Sequence, residues 1–291
     1  MWGYYPAVRR RVWCETLSFD ELAQPSVVAL LARYHLDLLL AVRPWQLPEV
    51  AEVVRRLQGA GIFVALWPML ADADGRWASA KTSPRFIAFA DELLARVPGA
   101  EELAIDLEPP FDLLEQWKSW RPTWRQTPSP HTFGTARASL VAAVERWRVD
   151  RRVTTAVLPL LAVEGRGQWL QRMLGTPASE LAVERHSVMA YTSLYEGWSR
   201  GLVNRTRAER LLAITARGTR ARFGTKAALS LGTVGPGAFG DEPGYRDPRE
   251  LARDVAIARE AGVDEIALFD LGGVIRRAPA EAWFEAFIDG R

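Results

Sequence analysis

Short runs rich in β-branched and aromatic residues alternate with amphipathic helical runs along nearly the whole chain, and this alternation is what most limits the folds open to it. The strand-like runs are Arg11–Thr16, Leu36–Val42, Ile62–Met69, Glu102–Glu108, Val153–Leu158, Ser187–Tyr191, Lys226–Leu231 and Glu265–Asp270. Helical stretches follow, among them Glu49–Ala60, Pro84–Val97, Arg137–Arg148, Arg207–Arg222, Pro248–Ala261 and Ala280–Ile288, with apolar residues recurring three and four apart. About eight such units close an α/β barrel of the (β/α)8 or TIM type, and 291 residues suit one such domain spanning residues 1–291. The punctuation agrees. Ser83-Pro84 and Asp247-Pro248 each pair a cap with a helix-starting proline, and Gly61 and Gly262 stand just before the third and eighth strand runs. An open doubly wound sheet would need a glycine fingerprint after the first strand, where the chain has Cys14-Glu15-Thr16-Leu17.

The fourth run carries the chemistry. Side chains of a strand alternate faces, so Asp106 and Glu108 share a face with Ala104, while Leu103, Ile105 and Leu107 share the other. Pro109-Pro110 cannot continue a ladder, which leaves Glu108 at the C-terminal lip, the end of a barrel where active sites form.

Charge and composition exclude several classes. The formal net charge of +2 implies neither nucleic acid nor an anionic membrane as partner. The basic residues are almost all arginine, which together with abundant alanine reflects GC-rich coding and carries no functional information. The single cysteine, Cys14, allows no intrachain disulfide, and no apolar run is long enough for a transmembrane segment. Met1-Trp2-Gly3-Tyr4-Tyr5-Pro6 lacks the features of a secretory signal, so the sequence as it stands is expected in the cytoplasm, or exported if a signal or lipoprotein anchor once preceded it. Nothing in the sequence decides an oligomeric state.

His35, His131 and His186 form no metal-binding pattern, and are read as surface or helix-end residues at the far end of the barrel or in loops. Neither a metal nor another cofactor is implied, and no histidine is placed for a nucleophilic triad. Catalysis is left to carboxylate, tyrosine and arginine. Trp45, Trp67, Trp77, Trp117, Trp120, Trp124 and Trp198 fall at strand ends or in the loops after them, where indole faces would stack on sugar rings; Trp147, Trp169 and Trp283 lie in helical stretches and read as packing residues. Carboxylates with tryptophans point to a carbohydrate site.

Ile105-Asp106-Leu107-Glu108 resembles the end of the Asp-Gly-x-Asp-x-Asp-x-Glu signature of the chitinase-like glycoside hydrolases (family eighteen), and Met189-Ala190-Tyr191 resembles that family's Met-x-Tyr-Asp element, each on the strand where the family has it. The resemblance implies Glu108 as general acid, Asp106 as the group that orients the substrate's own N-acetyl group, and Tyr191 as a contact to that group. The chain departs from the pattern at Glu101, Glu102 and Ala104, which replace the signature's first aspartate, glycine and middle aspartate. Thr192 follows the tyrosine where the family has an acid, and Phe269 stands where the family commonly has a floor tryptophan.

Glu15 after the first strand and Asp270 after the eighth are candidates for a second acidic wall, with Glu164 and Glu196 as further acids, while Arg43 is placed to steady a carboxylate of the site or of an acidic sugar. Asp270 also reads as a helix cap, and Arg43 as a structural ion pair. A glutamate nucleophile after the seventh strand is missing, since Ser230-Leu231-Gly232-Thr233 has no carboxylate. The expected function is therefore a glycoside hydrolase-like barrel acting on a carbohydrate in a cleft lined by Trp45, Trp67, Trp77 and Trp198. Two alternatives stay open: a barrel that binds glycans without cutting them, and a sugar-phosphate enzyme using the glycine-rich segment Gly232–Gly240, although Asp241 and Glu242 would repel phosphate.

Overall fold

Each strand-like run pairs in parallel with its neighbour in sequence, and the last closes on the first, so the sheet is a barrel with the order β1 to β8. The strands are β1 Arg10–Cys14, β2 Asp37–Val42, β3 Val64–Pro68, β4 Glu102–Leu107, β5 Arg152–Val157, β6 Arg185–Met189, β7 Ala227–Gly232 and β8 Glu265–Phe269. This computed structural model describes residues 9–118, 127–165 and 168–290, apart from the side chains of residues 117 and 118. The Trp117 side chain, Trp120 and Trp124 lie outside the described residues.

Closure turns alternate side chains inward and outward. Outward residues such as Val12, Leu38, Leu40, Leu103, Ile105 and Leu107 pack under the helices in one large apolar shell. Cys14 is among them, fully buried, and burial pushes its thiol far above the ordinary range. Inward residues form a second, smaller cluster with Trp13, Leu39, Ala65, Trp67, Ala104, Ala156 and Phe269. Trp13 and Trp67 meet edge to face at 4.6 Å, and the Trp13 indole donates to Ser230 Oγ at 2.8 Å.

Below this cluster the barrel is plugged by charge. Arg11 and Glu102 are buried and paired at 2.5 Å, Arg11 also reaches Glu265 at 3.2 Å, and Thr154 Oγ1 donates to Glu102 at 3.0 Å. Burial opposes the ionisation of both Arg11 and Glu102, but the partner charges more than offset it: Arg11 is raised and Glu102 lowered from their ordinary values.

Several boundaries differ from the sequence reading. The helix expected at Arg137 begins at Pro130, because Ser129 caps it by accepting from Thr132 N and proline suits a first-turn position. His186 is not a surface residue. It lies inside β6, buried, with Nδ1 hydrogen-bonded to Thr155 Oγ1 at 2.9 Å and its ring stacked on Phe223, and burial followed by the Lys226 and Arg222 charges lowers its pKa to about 4. Trp147 and Trp283 are buried as expected, whereas Trp169 is 60% exposed. Among the described residues no helix is long and apolar enough to cross a membrane.

Removing one partner of the plug strands the others in a dry site. Glu102→Gln is expected to cost about 3–5 kcal/mol, read as a lowered midpoint in urea unfolding; a midpoint within error of the native chain would mean that the plug is solvated.

Candidate active site

Where β4 runs out, its inward face ends on Asp106 and then on Glu108 at the lip, and both line a cleft of about 640 Å³ at the C-terminal mouth of the barrel. The neighbouring wall is built by β3. Its pairing with β4 is sparse, and the loop after it folds back so that Ala78 N donates to Asp106 O at 2.9 Å, extending the ladder beside the acid. Thr82 Oγ1 donates to the Trp77 carbonyl at 2.5 Å, so Trp77 is held against the cleft. Gly75 permits that tight return: its φ is +96°, and a Cβ there would lie 2.6 Å from Thr82 Cγ2.

Indoles and phenols complete the lining. Trp13 and Trp67 come from β1 and β3, Trp198 ends the helix Thr192–Trp198, and Tyr191 caps the start of that helix. Tyr191 stacks on Phe269 at 5.5 Å.

Four carboxyl groups, Glu15, Asp106, Glu108 and Glu242, line the same space. Burial, and then the neighbouring charge of Glu15, raises Asp106 well above the usual carboxylate range; burial followed by Asp106, Glu242 and Glu15 does the same for Glu108, against the Arg76 charge. Asp106 and Glu108 follow one another on the same strand face, so the ionisation of each bears on that of the other. Asp106 Oδ1 and Trp67 Nε1 are buried with no hydrogen-bond partner in the structure. Burial and the same carboxyls hold the Tyr191 phenol protonated.

Arg76 is the cation behind this wall. Its guanidinium forks onto Asp72 at 2.7 and 2.8 Å, reaches Glu15 Oε1 at 3.3 Å, donates to Ala238 O at 3.0 Å and lies 3.9 Å from the Phe111 ring centre. Burial raises Glu15 to about 7, with Arg76 and Arg43 pulling it down less strongly.

Of the residues expected in the site, Glu15, Trp67, Trp77, Asp106, Glu108, Tyr191 and Trp198 come together in the cleft. Others are placed elsewhere. Asp270 caps the helix Leu271–Arg276, accepting from Gly273 N at 2.9 Å and from Thr16 Oγ1 at 2.8 Å, so both of its oxygens are occupied away from the cleft. Arg43 is turned to Leu70 O at 2.7 Å and Asp72 at 2.9 Å, and touches the site only through Glu15 at 3.4 Å. Trp45 sits on the turn Pro44–Gln46, 65% exposed and outside the lining. Glu164 caps the helix Trp169–Leu174 through Leu170 N and Gln171 N, and Glu196 pairs with Arg246. Sequence reasoning passed over Trp13, Arg76 and Phe239. The alternation that put Glu15 inside also puts Trp13 there, whereas no sequence signal marks Arg76 or Phe239, which meet their partners across the mouth.

The glycines after β7 and β8 are accounted for by close packing: a Cβ on Gly273 would lie 1.5 Å from Val234 O, and one on Gly235 2.7 Å from Gly273 Cα. Among the described residues no three His, Cys, Asp or Glu side chains are grouped as metal ligands would be.

These features define a (β/α)8 barrel with an acidic, indole-lined cleft at its C-terminal mouth. No protein-family model matches the sequence, and no curated protein sequence does. Solved structures of similar fold include the PgaB (BpsB) glycoside hydrolase domain from Bordetella bronchiseptica, at TM-score 0.59 and 10% identity over 97% of this chain and 99% of that one. A class V chitinase from Nicotiana tobaccum in complex with NAG4 matches at 0.56 and 12% identity over 97% and 99%. D-Allulose 3-epimerase from Methylomonas sp. matches at 0.54 and 12% identity over 97% and 96%. The likeness is one of fold: the chain has the barrel of chitinases and related glycoside hydrolases, which the epimerase shares.

The raised Glu15 has a measurable consequence for stability. The folded chain keeps its proton up to about 7, while the ordinary value is 4.5, so between these the native state binds more protons than the unfolded one. Over that window this group makes stability fall as pH rises, by at most ~1.4 kcal/mol per pH unit. Glu15→Gln is expected to flatten the profile of unfolding free energy against pH over the same window, measured by urea titration at stepped pH; an unchanged slope would show that Glu15 titrates normally.

Proposed function

We propose that the chain is a glycosidase in which Glu108 is the general acid. The observation that carries this reading is the placement of Glu108, at the lip of β4 in an indole-lined cleft, with burial and Asp106 keeping its carboxyl protonated beyond the usual range. In hydrolysis Glu108 would give its proton to the leaving glycosidic oxygen. Trp198 would stack on a sugar ring, Trp77 would wall the cleft beside it, Tyr191 would position the substrate, and Asp106 would set the ionisation of Glu108 and, on the family resemblance, face an N-acetyl group when the sugar has one. The fold neighbours support a glycan, since one is a glycoside hydrolase domain and another a chitinase bound to NAG4.

A second reading, glycan binding without cleavage, rests on Ala104, which puts a methyl where the signature has an acid beneath Asp106. The sugar-phosphate reading is disfavoured by Glu242, which packs against Gly237 in the glycine-rich segment and brings a carboxylate where a phosphate would lie.

The deciding experiment sets the native chain beside Glu108→Gln on a broad panel of oligosaccharides, including N-acetylated ones. Cleavage by the native chain, reduced about 10²–10⁴-fold in the variant, is expected. If neither cleaves but glycans quench the tryptophan fluorescence, the binding reading replaces this one. The general acid must be protonated, so kcat/KM is expected to fall as pH rises through the raised Glu108 value. Asp106→Asn deletes the charge that most raises Glu108, and its alkaline limb is expected at lower pH than that of the native chain; a limb that stays put would remove Asp106 from that role.

A further inference from the structure

The segment Gly235–Glu242 after β7 crosses the mouth of the barrel. Arg76, after β3, donates to Ala238 O at 3.0 Å, and Phe239 stacks at 4.8 Å on Phe111, which follows β4. In a barrel of this order β3 lies opposite β7, so the segment is a strap across the diameter. It divides the mouth into two unequal halves.

On the half formed by β8, β1 and β2 the lip is filled. Asp270 ties Thr16, and Arg43, Asp72, Arg76 and Glu15 form one continuous ion-paired wall in which the Arg76 and Glu15 side chains are about 5 and 6% exposed. β2 supplies no residue to the cleft, because its inward Ala41 is small and Arg43 is turned into the wall. On the other half the lining continues outward through Leu158, Pro159, Tyr195, Trp198 and Arg200. Among the described residues the cleft therefore opens over β5 and β6 and ends beneath the strap against Glu15.

Trp67 and Asp106, both lining the cleft and more than nine-tenths buried, carry at Nε1 and Oδ1 a donor and an acceptor that have no hydrogen-bond partner among the described residues. A lone donor and a lone acceptor in a dry recess complement sugar hydroxyls, which both accept and donate. A chain bound by its middle would have to continue through the ion-paired wall.

Building on the glycosidase reading, we propose that this cleft is blind-ended and receives the terminal residue of a glycan, whose hydroxyls bond Trp67 Nε1 and Asp106 Oδ1, so that the protein works from chain ends and not within chains.

The test uses chito-oligosaccharides, with cello- and malto-oligosaccharides beside them, in three forms: free, blocked by a bulky fluorophore at the reducing end, and blocked at the non-reducing end. Binding is measured by calorimetry and products by mass spectrometry, for the native chain and for Trp67→Phe, which keeps an aromatic ring and loses the N–H. Blocking one end is expected to abolish binding while blocking the other leaves it intact, with products shortened from one end only. Trp67→Phe is expected to bind about tenfold more weakly, the order of one hydrogen bond, while still unfolding in a single cooperative transition above the assay temperature. If both blocked forms bind as well as the free chain, or products arise from internal cuts, end recognition is overturned and the glycosidase reading stands. Native-like affinity in Trp67→Phe overturns the assignment of its N–H. If no glycan is bound or cut, the glycosidase reading itself falls and this inference with it.

Discussion

A closed parallel sheet sends every second side chain into a space of fixed width, and everything at the mouth of this barrel depends on how that space is filled. On β4 the inward series is Glu102, Ala104, Asp106 and Glu108, a single strand that enters the charged plug, passes a small apolar residue and emerges as an acid pair. Ala104 is small where Trp13 and Trp67 are large, and facing positions of unequal size let the interior interdigitate. The acids are thus presented upward on a packed base, and their low exposure is what moves their ionisation.

The barrel and the direction of its acids were legible from alternation alone, because period-two patterning and the Pro109-Pro110 stop are local properties of the chain. Trp67, Trp77, Tyr191 and Trp198 were legible for the same reason, as aromatics at or just after strand ends. What could not be read is set by contacts between distant segments. Nothing near Arg76 in sequence announces that Ala238 and Glu15 will be its partners. Asp270 shows the limit from the other side. A carboxylate at the end of β8 looks the same in sequence whether it faces the cleft or turns back, and the backbone N–H of Gly273 and the Thr16 hydroxyl decide the matter. Trp45 misled because its strand's lip is filled by an ion-paired wall, which leaves the ring outside. His186 misled because the sixth strand begins two residues earlier than its apolar run, at Arg185.

The resemblance to the chitinase-like pattern gains a physical reading from the barrel. Where the signature has a middle aspartate the chain has Ala104, and a further carboxyl reaches the cleft from Glu15, which directly follows β1 and is backed by two arginines. Glu15 bears on the ionisation of both β4 acids, so the carboxyls that meet in the cleft come from more than one strand end.

The two charged ends of the barrel interior are separated by the inward cluster around Trp13, Leu39, Ala65 and Ala156. No hydrogen bond among the described residues joins the Arg11–Glu102–Glu265 plug to Glu15, Asp106 or Glu108. Such an insulated arrangement makes the two ends thermodynamically independent, and substitutions at one should add to substitutions at the other without coupling. The lower end can then hold the scaffold together while the upper end is free to drift in charge and shape, a division of labour by which one barrel sequence can explore new ligands without renegotiating its own folding.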